Sequence, residues 1–470
     1  MVFSSLSFLI VFLPILCACY FLVPRKWKNA RQYVLLLFSL IFYATGEPLY
    51  IFLITGCITV TWFLFRFIRN HSKPALIAAI LINVIPLAVT KYAGFIADNI
   101  NAVLDSEVLR IPHIVMPIGI SFYTFQVITC IVDLYRGKIK EQKNLLLFAL
   151  YIMFFPQLIA GPIVKYEEIQ QQLESPDVSW KNIQYGAGRF ISGLGKKVLL
   201  ANQAGYIASQ IQGSSISSLS SGMVWLGVIA YTIQIYFDFS GYSEMAIGLG
   251  SIFGFHFPEN FKDPYTSKSV QEFWRRWHIT LGRFFREYVY IPLGGNRVSK
   301  ARWVLNIFAV WALTGLWHGA AWNFIIWGLY YGVLIVIENT TGIGKKLPAF
   351  LGWAFTFLLV IIGWSIFMCD NRPLGETLSF IGKLFFIHGE AIAPVTVASL
   401  KLWGDIPFLV LGFLAASPAW TALREKAGGC LKKDNAAVSI LHDLILAAVF
   451  LLSLLFLIGG TYNPFIYFRF

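Results

Sequence analysis

Two histidines stand where a proton could be handled. His278 closes Phe273-Trp274-Arg275-Arg276-Trp277-His278, and His318 lies in Leu316-Trp317-His318-Gly319. Imidazole takes and returns a proton near neutral pH, so either is a candidate general base. His318 is the sharper signal. Trp303 to Leu316 is apolar without a charge after its start, and Ala320 to Glu338 continues as a second apolar run. An ionisable side chain at such a place is costly in a membrane and marks a functional site by default. A buried neutral histidine bonded to a carbonyl is the equal alternative. Gly315 and Gly319 allow close backbone approach and a kink, which favours a substrate path. His278 alone reads rather as structural; paired with His318 it would orient the base or bind the acceptor.

An anionic donor needs cations, and Arg275, Arg276, Arg283 and Arg286 supply them. Read as one helix, residues 268–288 place these arginines with Lys268 and Glu272 on one arc. Phe273, Trp274, Trp277, His278, Leu281, Phe284, Phe285 and Tyr288 take the opposite arc. Such a helix lies in the membrane boundary rather than crossing it. Its arginines would bind the phosphates of a cytosolic cosubstrate such as coenzyme A, or contact lipid headgroups, and the pattern does not separate the two. Burial among Trp277, Trp317 and Trp322 would keep an imidazole neutral. Asp238, in Tyr236-Phe237-Asp238-Phe239-Ser240-Gly241-Tyr242, needs a cavity or a cationic partner in its apolar run; pairing to an arginine is slightly favoured over catalysis. Gln126, Gln157 and Asn323 read equally as chamber lining or as interhelical hydrogen bonding.

Other chemistries lose support. There is no P-loop, dinucleotide fingerprint, His-Glu-x-x-His helix or Gly-x-Ser-x-Gly elbow. The six cysteines lack metal-ligand spacing and read as buried small hydrophobes, including Cys17 and Cys19 in the first apolar run. Neither a metal centre nor a bound cofactor is expected.

The elements that must position these residues are membrane spans. Of 470 residues, 57% are hydrophobic and 13% charged, about half the charge of a soluble chain. Apolar runs of roughly 20 residues recur, enough to cross a hydrocarbon core. The net charge of +13 is explained by basic cytoplasmic loops rather than by nucleic acid. Arg25 to Arg31, Arg66 to Lys73, Arg136 to Lys143, Lys196-Lys197, residues 262–302, Lys345-Lys346 and Arg424 to Lys433 go to the cytoplasm. Alternation then gives about eleven spans, with both termini outside and Met1 to Leu22 a retained first span rather than a cleaved signal. Three segments break the pattern: Phe154 to Pro162, Phe257 to Tyr265, and Phe380 to Leu402 with Gly389-Glu390 and Pro394 inside it. The first, with two prolines and a glycine, suggests a broken or re-entrant helix. Residues 1–470 read as a single domain.

Eight motifs occur in an order that resembles the membrane-bound O-acyltransferases, in their bacterial alginate O-acetylation branch. They are Met1-Val-Phe-Ser-Ser5, Gly46-Glu-Pro48, Pro117 to Gln126, Phe154 to Pro162, Tyr236 to Tyr242, Phe273 to His278, Tyr290 to Asn296 and Leu313 to Gly319. The resemblance implies an all-α membrane protein, with a ring of spans around short re-entrant core helices that form a tunnel. It makes His318 the essential histidine and His278 the second one, and places Gln126, Gln157, Asp238, Ser240 and Asn323 along the tunnel. It implies acetyl-coenzyme A as donor, with Arg275, Arg276, Arg283, Trp277 and Trp317 around it. It further implies an extracytoplasmic acetyltransferase of serine-hydrolase (SGNH-like) type as partner, a polysaccharide as eventual acceptor, and a bacterial inner (plasma) membrane. Transfer of D-alanine or another acyl group from a carrier protein to teichoic acid is an alternative within the same family. A transporter using His318 as a proton relay, or a scaffold without chemistry of its own, is an alternative outside it.

Overall fold

The computed structural model describes residues 1–470 except 25, 28, 113, 371, 388–390, 392–393, 432–435, 461 and 467–470, and the backbone alone at 345, 425, 427–431 and 436. Arg25, Lys28, Gly389, Glu390, Lys432 and Lys433, and the side chains of Lys345 and Cys430, therefore lie outside the described residues. Among those described, every regular element is helical and no strand forms.

Six helices are long and apolar enough to cross a membrane: Tyr50–Ile68, Lys73–Leu104, Ser221–Ile252, Trp322–Thr341, Ala349–Met368 and Ala437–Gly459. The pair Leu402–Ala415 and Pro418–Arg424, bent by 68°, makes seven if it is one broken span. Ser7–Leu22, Ala30–Ala44 and Ile120–Tyr135 are apolar but shorter. By length and composition, six or seven helices meet the criterion for a span, with the shorter apolar helices beside them. Leu441, Leu444 and Leu455 point outward from the last long helix. Apolar faces of that extent belong against lipid rather than water, and the protein is a multi-pass membrane protein.

By contacts the chain forms two compact units. The first holds Met1–Phe190 and Ser243–Pro258. Its core includes Phe3, Phe8, Phe12, Phe42 and Phe155, all buried. The run from Leu145 is broken as the sequence suggests: one helix ends at Met153, Phe154 is non-helical, and Phe155–Leu158 is a single short turn. The Phe155 amide freed by the break donates to Ser39 Oγ at 3.2 Å. Cys19 departs from the expectation of burial and is exposed on its helix.

The second unit, Ile191–Tyr242 with Glu259–Ile466, carries both histidines. Its relevant helices are α1 (Ser221–Ile252, of which residues to Tyr242 belong here), α2 (Val270–Arg276), α3 (Ile279–Phe285), α4 (Lys300–His318), α5 (Trp322–Thr341) and α6 (Ala349–Met368). Helices α4 and α5 form a hairpin closed by glycines. A Cβ at Gly315 would lie 2.3 Å from the Phe324 carbonyl oxygen, and one at Gly328 would lie 2.2 Å from that of Trp311. Backbone cannot yield as a flexible side chain can, so these glycines set how closely the helices approach. The hairpin brings the end of α4 beside the first turns of α5.

Candidate functional site

Local sequence explains where α2 starts. Ser269 caps it, its Oγ accepting the Glu272 amide at 3.1 Å, while Glu272 reaches back to accept the Lys268 amide at 2.9 Å. The Ser-x-x-Glu pattern is that of a capping box, but Glu272 takes the amide of Lys268, one residue before the N-cap Ser269. Glu338 of α5 accepts the Gln271 amide at 3.1 Å, which ties the start of α2 to the hairpin.

The single amphipathic helix expected over 268–288 is two helices. It breaks at Trp277 and His278, with His278 in the left-handed region at φ 44°. A non-glycine residue there needs compensation. The segment before it supplies that. Lys262 N donates to the Arg276 carbonyl at 2.9 Å, and Ile279 N to the Asn260 carbonyl at 3.0 Å. The Asn260 side-chain oxygen meets His278 Nδ1 at 3.2 Å and accepts from Thr280 N at 3.2 Å and Thr280 Oγ1 at 2.9 Å. An acceptor shared this way assigns the proton to Nδ1 and leaves the lone pair on Nε2.

His278 is 2% exposed and lies edge-on to Phe239 at 4.6 Å and to Trp317 at 5.7 Å. Burial pushes its pKa down to about 3. The unfolded chain, with the ordinary value, binds a proton that the folded one refuses between pH 6.5 and about 3. Stability from this group is therefore complete above pH 6.5 and is lost progressively as pH falls through that window. His278→Asn, which keeps a donor for Asn260, should flatten the decline of melting temperature between pH 6.5 and 5 relative to wild type. Unchanged pH dependence would contradict the neutral, buried assignment.

His318 is the last residue of α4, and Gly319 leaves the helix with extended backbone. The helix starts at Ser299, whose Oγ accepts the Arg302 amide at 3.4 Å. Asn306 anchors it to the Gly294-Gly295 turn by donating to the Leu293 and Gly295 carbonyls, each at 3.2 Å. That turn needs glycine, with φ of 103° and 57° at the two positions. The His318 ring is 3% exposed and is boxed by Trp317 at 4.8 Å, Trp327 at 5.0 Å and Phe367 at 5.1 Å. Trp317 thus touches both imidazoles. The negative end of the α4 dipole also falls at this residue.

The remaining candidates separate. Trp277 is buried in an aromatic stack with Phe261 at 5.1 Å, Phe273 at 5.5 Å and Trp364 at 4.9 Å. Arg275 is exposed and its Nε donates to the Gln271 carbonyl at 3.2 Å. Arg276 is half-buried and paired with Glu272 at 2.7 Å. Burial pushes the Glu272 carboxyl up, and the Lys268 amide and Arg276 guanidinium outweigh it, so its pKa sits below the ordinary value. Arg283 is half-buried and Arg286 exposed.

Asp238 is paired, but to a lysine and not an arginine. Lys197 Nζ lies 2.6 Å from it, and the Ile466 amide donates to its other oxygen at 2.8 Å. Ser240 is buried beside this pair in sequence. Asn323 bonds between helices, donating to the Cys369 carbonyl and to Thr377 Oγ1 at 3.2 Å. Gln126 and Gln157 lie in the first unit, fully buried, with Gln157 Nε2 donating to the Tyr151 carbonyl. Asn260 is the site residue that the sequence reading lacked. Its one signal was a polar segment, Pro258-Glu259-Asn260, too hydrophilic to span.

The chain is similar in sequence to known proteins. Residues 136–370 match the profile of the membrane-bound O-acyltransferase (MBOAT) family. The probable alginate O-acetylase AlgI of Pseudomonas putida is 37% identical over the whole of both chains. That of Pseudomonas syringae pv. tomato is 42% identical, over 93% of this chain and 86% of its own. The peptidoglycan O-acetyltransferase of Helicobacter pylori is 32% identical, over all of this chain and 98% of its own. The chain belongs to the membrane-bound O-acyltransferase family, in its alginate O-acetylation branch, and is an O-acyltransferase.

Proposed function

We propose that this O-acyltransferase is an acetyltransferase of the bacterial plasma membrane. It takes acetyl from cytoplasmic acetyl-coenzyme A and passes it to the outer face. There an extracytoplasmic SGNH-like acetyltransferase would carry it to an exopolysaccharide or cell-wall polysaccharide. The finer architecture belongs to the same reading: about eleven spans around short core helices, enclosing a tunnel. Relatives named for alginate and peptidoglycan O-acetylation support the class of polymer.

One observation carries the reading: His318 is buried at the C-terminal end of a helix, among Trp317, Trp327 and Phe367. An acceptor hydroxyl attacks the thioester carbonyl carbon and gives its proton to neutral His318. The last carbonyls of α4 favour the imidazolium so formed. The tetrahedral intermediate collapses with cleavage of the carbon–sulfur bond, and the thiolate recovers the proton and leaves as coenzyme A thiol. His278, neutral with its lone pair on Nε2, can accept a hydrogen bond from the incoming hydroxyl. The exposed Arg275 and Arg286 and the half-buried Arg276 and Arg283 supply the charge for donor phosphates.

The test is label transfer from radiolabelled acetyl-coenzyme A to the purified partner, with the protein in nanodiscs. Transfer that needs both proteins is the expected result. Transfer from a D-alanyl carrier protein, with none from acetyl-coenzyme A, would replace this reading with the carrier-protein one.

A further inference from the structure

Around His318 the described side chains present donors in excess. Trp274, Trp327 and Trp364 each have a buried indole Nε1, and Tyr331 a buried hydroxyl, with no hydrogen-bond partner among the described residues. Trp327 and Tyr331 are 0% exposed and Trp364 is 1% exposed, so water does not reach them from outside as it would at a surface. The four rings form one cluster. Trp327 lies 5.3 Å from Tyr331, 5.5 Å from Trp274 and 6.0 Å from Trp364, with the last pair stacked at 23°. Trp327 is also the ring set edge-on to His318 at 5.0 Å.

Buried polar atoms are almost always hydrogen-bonded, so four such donors together need an explanation. Indole N–H donates and does not accept. The three indoles cannot satisfy one another, and the phenol oxygen of Tyr331 is the one acceptor in the set. What satisfies them must bring oxygen acceptors. A thioester carbonyl does so in the ground state, and more strongly when its oxygen becomes an oxyanion on attack.

We propose that Trp327 and Trp364, with Tyr331 and Trp274 behind them, form a donor cradle for the carbonyl oxygen of the acyl group transferred at His318. This rests on the acyl-transfer reading above. The hydroxyl oxygen forms its bond to the carbonyl carbon, the carbonyl π pair moves onto oxygen, and the indole N–H groups receive that charge. The pair returns as the carbon–sulfur bond breaks, and the proton taken by His318 leaves with the thiolate. The cluster is held by rigid rings on α2, α5 and α6, so the donors need no reorganisation during the reaction.

The test compares Trp327→Phe, Trp364→Phe and Tyr331→Phe with Trp311→Phe, a neighbouring aromatic 4.8 Å from Trp274 that serves as packing control. Two readouts are used: cellular O-acetylation at matched expression, and kcat and KM for acetyl-coenzyme A in nanodiscs with the purified partner acetyltransferase present as acceptor, per folded molecule. The cradle predicts kcat lower by about 10²-fold for either indole. Donor KM and melting temperature stay near wild type, and Trp311→Phe turns over normally. Tyr331→Phe removes one oxygen atom and keeps the test valid if an indole variant misfolds; it should lower kcat with unchanged melting temperature. Wild-type kcat in all three variants would overturn the cradle and leave the acetyl-transfer reading standing. No turnover of acetyl-coenzyme A by wild type, together with lost cellular acetylation in the same variants, would keep the cradle and overturn the donor. A lower melting temperature with normal kcat per folded molecule would make the cluster packing alone and overturn the proposal.

Discussion

His318→Ala should abolish measurable O-acylation in cells at matched expression, a loss of about 10²–10⁴-fold for removal of a positioned general base. The size of the effect follows from placement. His318 ends a helix anchored at its start by Ser299 and along its length by Asn306, and is walled by three aromatic rings. No other described histidine touches this box except His278, which reaches it through Trp317. His278 is held neutral by burial and is committed through Nδ1 to Asn260, so it is poorly placed to substitute. His318→Gln, which keeps bulk and polarity, should be as inactive as alanine while retaining more of the melting temperature. Quantifying ester-linked acetyl groups released from the envelope reads the result. Acylation at half the wild-type level or more in either variant would remove His318 from the chemistry.

Breaking the buried Lys197–Asp238 pair should cost stability heavily. The side chains are 4% and 1% exposed, with 2.6 Å between charges. Lys197→Met strands a carboxylate, a change worth about 3–5 kcal/mol at buried pairs. The pair also holds the end of the described chain. Lys197 donates to the Pro464 carbonyl, Asp238 accepts the Ile466 amide at 2.8 Å, and Tyr242 packs on Phe465 at 4.7 Å. The double variant Lys197→Met with Asp238→Leu should recover most of the loss, because no charge is then left alone. It should not recover all of it, since the Ile466 amide loses its acceptor, at about 1–3 kcal/mol. Unfolding in detergent, analysed as a double-mutant cycle, gives the coupling. Single variants within about 1 kcal/mol of wild type would mean that the pair is not buried as described.

Much of the site was legible because its chemistry is unusual for its surroundings. A histidine between apolar runs stands out from composition alone, and Gly315, read as allowing close backbone approach, lies against the Phe324 carbonyl in the α4–α5 hairpin. Asp238 in an apolar run was read as needing a cavity or a cationic partner, with an arginine favoured, and the cation is a lysine. That the partner is Lys197 was not legible, because an ion pair 41 positions apart in sequence depends on tertiary placement. The break at His278 was missed for a related reason. A helical wheel assumes a continuous helix, and the 268–288 pattern satisfies it. What ends the helix is the distant Asn260, which takes up the backbone and imidazole groups that the break exposes. The donor cluster was equally hidden: Trp274, Trp327, Tyr331 and Trp364 come from three helices, and each alone reads as ordinary core.

The most direct test uses proteoliposomes with the cytoplasmic face outward. Labelled acetyl-coenzyme A is supplied outside, and the purified extracytoplasmic acetyltransferase is sealed inside. The account predicts labelled acetyl on the enclosed protein with free coenzyme A remaining outside, and no label inside for His318→Ala. Equal label inside for wild type and His318→Ala would contradict it.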